Sequence, residues 1–205
     1  MGYNSILSSY AFGRDPVKRF AQRFSPPRRV MVAGLGMGVT LSAVLACQQV
    51  ERVDVVEIDQ DVIRWNLLHF KTVNRGSLED PRVHIIREDM AQLLLQPLPE
   101  YDLILLDVDN GPHMLAREGN ECLYQLKGLR SFKDMLSPPG LLAVWSASRD
   151  RQFLRRLARI FEEAVEVEVR RKTFTPDYFY LGFLLSERRE DWLINTWRDV
   201  IDAST

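Results

Sequence analysis

The chain has 205 residues, 46% of them hydrophobic and 27% charged, which suits one well-buried core and is short for two. Its 27 basic residues against 28 acidic ones leave a formal charge of -1, so no broad field draws it to nucleic acid or to an anionic membrane. The start, MGYNSILSSYAFGRD, lacks the cationic and apolar run of a secretory signal, and no stretch approaches the roughly eighteen apolar residues of a membrane span. A cytoplasmic location is the expectation.

Residues 1–29 read as an N-terminal extension, irregular apart from a basic helical stretch over 16–24, and they end in Pro26-Pro27-Arg28-Arg29, which forbids regular pairing. Residues 30–205 read as a single nucleoside-binding domain. The expected strands are 30–33, 53–58, 83–87, 102–107, 140–146, 165–173 and 178–186. Helices are expected at 38–48, 60–70, 90–95, 121–135, 150–163 and 190–201. Apolar strands alternating with helix-length segments predict an α/β fold, a mostly parallel seven-stranded sheet covered on both faces. The last two strands follow each other without a helix and predict an antiparallel hairpin at one sheet edge. Cys47 and Cys122 lie in helix-like apolar stretches and read as reduced thiols in or near the core.

The first strand runs into Gly34-Leu35-Gly36-Met37-Gly38, and the second closes on Glu57-Ile58-Asp59. An acid about twenty residues beyond a glycine turn, at the tip of the neighbouring parallel strand, is placed to hold a ribose diol while the turn admits an adenosine ligand. Glu57 is the candidate for the diol, and Asp59 suits the cap of the next helix better. A nicotinamide fingerprint would need glycine at position 39, where Val39 stands, so an NAD enzyme is disfavoured. Tight strand-to-helix packing is the other account of the glycines.

Further acids fall at strand ends. Asp89 is placed either to accept from an adenine amine or to cap the short helix after it. Asp107 and Asp109, in Asp107-Val108-Asp109-Asn110-Gly111-Pro112, could hold a cationic substrate or take a proton from an attacking amine, or else form an Asx turn. His69, His84 and His113 have no metal-binding spacing, and no metal is expected. His113 is placed near the rim or in a plain exposed loop. Trp145 and Tyr178-Phe179-Tyr180 receive no role beyond the core.

The run from Pro27-Arg28-Arg29-Val30 through the glycine turn, Val55-Val56-Glu57-Ile58-Asp59, Asp80-Pro81-Arg82-Val83, Asp89 and Tyr101-Asp102-Leu103-Ile104 to Asp107 resembles spermidine synthases, and Leu136-Ser137-Pro138-Pro139-Gly140 resembles their turn into the fifth strand. The resemblance covers about residues 27–147. It implies a Rossmann-like class I methyltransferase fold, S-adenosylmethionine (SAM) or its decarboxylated form as cofactor, and a small-molecule amine as substrate. By the same resemblance Glu57 holds ribose, Asp89 contacts adenine, and Gly34, Gly36 and Gly38 line the cofactor tail. Asp107 and Asp109 then take the place of the acidic catalytic loop.

Three departures bear on function. Met37 stands where the family keeps an acid that receives the cationic aminopropyl arm, which weakens the preference for the decarboxylated cofactor. The loop Asp107 to Pro112 is shorter than the family's Asp-Ser-Ser-Asp-Pro-x-Gly-Pro. Fewer than thirty residues precede the first strand, so the small N-terminal β domain that covers the amine is expected to be missing. A non-catalytic, partner-binding relative and, more weakly, an RNA methyltransferase suggested by the basic segment Arg14 to Arg29 are the competing readings. A homodimer stays open.

Overall fold

The computed structural model describes residues 25–169 and 176–185. Seven strands, β1 (Arg29–Ala33), β2 (Arg52–Val56), β3 (Val83–Ile86), β4 (Tyr101–Leu106), β5 (Leu136–Ser146), β6 (Glu163–Val169) and β7 (Asp177–Leu184), form one sheet in the order β3-β2-β1-β4-β5-β7-β6. The first five are mutually parallel, and β7 enters antiparallel between β5 and β6. The antiparallel pair at one edge is thus present, with β6 outermost. Its connecting segment, the expected C-terminal helix 190–201 and the basic helix 16–24 lie outside the described residues.

Side chains alternate across β1. Val30 and Val32 face α1 (Val39–Leu45) and α2 (Gln60–Leu68), through Leu41, Val44, Val62 and Ile63. Met31 and Ala33 face the opposite layer, built from α4 (Met90–Leu93), a 3₁₀ turn at Asn120–Tyr124, α5 (Leu126–Asp134) and α6 (Arg151–Leu157). Burial on both faces explains why β1 and β4 read as continuous apolar runs. The short helix α3 (Lys71–Asn74) follows α2. Trp145, Phe179 and Tyr180 are core residues.

Several boundaries differ from expectation for local reasons. β5 begins at Leu136, which pairs with Tyr101 before the register shifts to Leu103↔Leu141. Pro138 and Pro139, which cannot donate to a ladder, occupy the offset. The helix expected over 121–135 is broken at Gln125, and Gly128 lets α5 pass against the preceding turn, where a Cβ would lie 2.3 Å from the Cys122 carbonyl oxygen. That turn leaves Cys122 exposed, contrary to the core placement expected of it, while Cys47 is half-buried; both are free thiols.

Candidate functional site

The glycine turn leaves β1 under close constraint. Gly34 takes φ +96°, and a Cβ there would sit 2.2 Å from the Asp107 carbonyl oxygen. Gly38 takes φ +75°, and its Cβ would meet Asn66 Oδ1 at 2.6 Å. Both positions demand glycine by conformation and by space. Gly36 differs: its φ is +51°, and nothing lies within 4 Å of where its Cβ would be. Its carbonyl accepts from Asn66 Nδ2 at 2.8 Å, Asn74 Nδ2 donates to Asn66 Oδ1 at 2.9 Å, and Gly76 N–H donates to Asn74 Oδ1 at 2.9 Å. Two buried asparagines therefore brace the turn from below.

Glu57 turns its carboxylate toward this bend. Oε2 accepts from the Leu35 N–H at 3.1 Å and Oε1 from the Asp59 N–H at 2.9 Å. A carboxylate has lone pairs for about four hydrogen bonds, so each oxygen keeps capacity for a further donor. Asp59 caps α2 by accepting from Asp61 N–H at 2.8 Å, leaving Glu57 out of that duty.

Asp89 has both oxygens engaged: Oδ1 caps α4 through Ala91 N–H at 2.9 Å, and Oδ2 pairs with Arg117 Nη1 at 2.7 Å. No hydrogen bond links it to the glycine turn among the described residues.

Asp107 leaves β4 beside the turn, where its N–H donates to the Ala33 carbonyl at 2.8 Å. Thr40 Oγ1, in the first turn of α1, donates to Asp107 Oδ2 at 3.3 Å. The residue is half-buried beside the turn. Desolvation pushes its pKa up to about 8, against the smaller opposing effect of the Thr40 hydrogen bond.

Asp109 is placed differently. It is 6% exposed, Oδ1 accepts from Ala116 N–H at 2.6 Å and Asn120 Nδ2 at 2.9 Å, and Oδ2 accepts from the Tyr124 hydroxyl at 2.8 Å. Burial, then the Asp109 charge, raises the Tyr124 pKa, so the phenol stays a donor. Its carboxylate is engaged in closing its own loop, while Asp107 is the acid beside the turn.

Sequence reasoning missed Asn66, Asn74, Thr40, Asn120, Tyr124 and Arg117. One signal was available: Asn66 lies on the apolar stripe of α2 set by Val62 and Ile63, where an amide must find a partner. Among the described residues there is no helix long and apolar enough to cross a membrane, and no group of three or more His, Cys, Asp or Glu that could hold a metal.

A sheet in this order, with a glycine turn after β1 and an acid after β2 bonded to that turn, defines a Rossmann-like protein of the class I methyltransferase fold. A spermidine synthase in complex with the transition-state analogue AdoDATO superposes with TM-score 0.70 at 20% identity, covering 88% of this chain and 61% of that one. Human methyltransferase-like protein 13 in complex with SAH gives 0.64 at 20% identity, covering 87% and 79%. Residues 16–169 match the spermine/spermidine synthase domain, and the chain belongs to that family. A polyamine aminopropyltransferase of Synechococcus sp. is 33% identical over 122 residues, 58% of this chain and 37% of its own length. Polyamine aminopropyltransferase 2 of Pseudomonas aeruginosa is 29% identical over 184 residues, 84% of this chain and 49% of its own. The chain therefore spans less than half the length of these two relatives.

Proposed function

We propose that the chain is a spermidine synthase-like transferase that holds SAM or decarboxylated SAM at the β1–β2 rim and passes an alkyl group, aminopropyl or methyl, to an amine. The observation that carries this is the Glu57 carboxylate bonded to the Leu35 N–H of the glycine turn, with acceptor capacity left on both oxygens. The open space at Gly36 fits a ligand lying against the backbone there. When bound, the sulfonium supplies an electrophilic carbon whose bond to sulfur breaks as the amine nitrogen bonds to it.

The chain's own residues align the reactants and accept the proton the amine must lose. Asp107 is the suited acceptor. A carboxyl group with a pKa of about 8 is a competent base near neutral pH, and a cation beside it would lower that value and enlarge its ionised fraction. Asp109 supports the reaction by fixing the loop that follows Asp107. Asp89 serves the adenine amine only by sharing or exchanging Arg117.

Two lines bear on the transferred group. The aminopropyltransferase relatives favour the decarboxylated cofactor. Met37 favours intact SAM, because an acid there would attract an aminopropyl cation by about 4 kcal/mol at 4 Å and an effective dielectric of 20, before desolvation. Calorimetry with SAM, decarboxylated SAM and methylthioadenosine decides between them. Binding should weaken at least tenfold in Glu57→Ala, and absence of heat with all three ligands would refute the proposal.

A further inference from the structure

On the loops that follow β4 and β5, a serine, a histidine and an aspartate that the proposed transfer does not use converge. The Ser148 hydroxyl lies 3.0 Å from His113 Nε2, and His113 Nδ1 lies 3.4 Å from Asp150 Oδ2. We propose that these three groups form a base-activated serine nucleophile, with Ser148 as the attacking residue and short-chain carboxylic esters as its substrates.

The protonation pattern follows from the partners. The Asp150 carboxylate approaches Nδ1 without a hydrogen bond of good geometry, and its proximity favours the tautomer with the ring proton on that nitrogen. Nε2 is then an acceptor, and the Ser148 O–H is its donor.

The three members are positioned by contacts beyond those they make with one another. Asp150 Oδ1 caps α6, accepting from Gln152 and Phe153 N–H at 2.8 Å each. Its backbone N–H donates to the Tyr180 hydroxyl, and Arg156 Nη2 approaches Oδ2 to 3.9 Å. The histidine loop is pinned to the serine loop by Ala147 N–H donating to the Asn110 carbonyl at 2.9 Å. Gly111, at φ +132°, lets the two loops touch, since a Cβ there would lie 2.2 Å from Ser146 Oγ. Ser146 Oγ in turn donates to the Ser148 carbonyl at 2.6 Å.

The site is open. Half of the His113 side chain meets solvent, and Met114, whose sulfur lies 3.5 Å from Ser148 Oγ, is exposed with Leu115 beside it. This gives a short acyl chain an apolar surface and leaves water access for turnover. Ser148 Oγ attacks the ester carbonyl as His113 Nε2 takes its proton, and that proton then passes to the departing alkoxide, leaving the acyl group on Ser148. Water, giving a proton to His113, cleaves the acyl bond; the proton returns to Ser148 Oγ, and the products are one acid and one alcohol.

The test uses the full chain without any SAM-type ligand, so its outcome is independent of the transferase reading. A fluorescent fluorophosphonate should label Ser148, located by peptide mapping, with loss of fluoride. Labelling should vanish in Ser148→Ala and slow at least tenfold in His113→Gln, as expected where a general base contributes about 10²–10⁴-fold. Asp150→Asn, which keeps a helix cap, should slow it at least threefold with an unchanged circular dichroism spectrum. Labelling of the wild type no faster than Ser148→Ala, or a smaller effect of His113→Gln, overturns the proposal.

Discussion

The hydroxyl of Tyr124 donates to Asp109 across fifteen residues of chain and completes a buried carboxylate that also receives Asn120 and the Ala116 N–H. Asp109→Ala would leave three donors without their acceptor. The expected loss is about 3 kcal/mol of unfolding free energy, read from urea denaturation. Asp109→Asn should cost less, since an amide oxygen still accepts.

The glycines of the turn should separate by cause. Gly34→Ala combines a positive φ with a collision against the Asp107 carbonyl and should cost more than about 3 kcal/mol. Gly36→Ala meets no neighbour and should cost about 1 kcal/mol from conformation alone. Thermal denaturation of the two variants distinguishes them.

Asp107 makes stability depend on pH in a stated direction. Its pKa is about 8 when folded against 3.8 as the reference, so the unfolded chain ionises first and the native state loses stability as pH rises from about 4 to about 8. Asp107→Asn removes that penalty. The variant should be more stable than the parent at pH 7.5, and this advantage should disappear below pH 4. The same change should abolish alkyl transfer while leaving methylthioadenosine binding within threefold.

Arg82 binds the carbonyls of Leu45 at 2.9 Å, Val50 at 3.2 Å and Cys47 at 3.3 Å, and is held by Asp80 at 2.8 Å. The paired aspartate is held below its usual carboxylate range by that guanidinium. Arg82→Lys keeps the charge and loses the fork that reaches several oxygens, so it should still cost about 1–2 kcal/mol. Hydrogen exchange should quicken in α1 and the turn after it before it quickens in β1.

Much of this architecture was legible because its causes are local. Apolar β1, the three glycines and the acid closing β2 all follow one another in the chain, and they mark a parallel strand, a turn and its neighbour. Asp59 was recognisable as a cap for the same reason. Asp80-Pro81-Arg82-Val83 was visible as a signature whose purpose was hidden, since the carbonyls it serves lie 32 to 37 residues earlier. Asp107 and Asp109 looked equivalent in sequence, and only their surroundings tell them apart: Thr40 and the glycine turn meet one, Asn120 and Tyr124 the other. The offset at Pro138 and Pro139 depended on pairing with Tyr101, which no pattern within β5 announces.

The backbone of Asp107 rests directly against Gly34, with no side chain between them. The segment that would cradle a sugar and the segment that carries the acid are thus one mechanical unit. Under the proposed function, a ligand that shifts the turn would press on the Asp107 backbone as well, which would couple donor occupancy to the proposed base through contact alone.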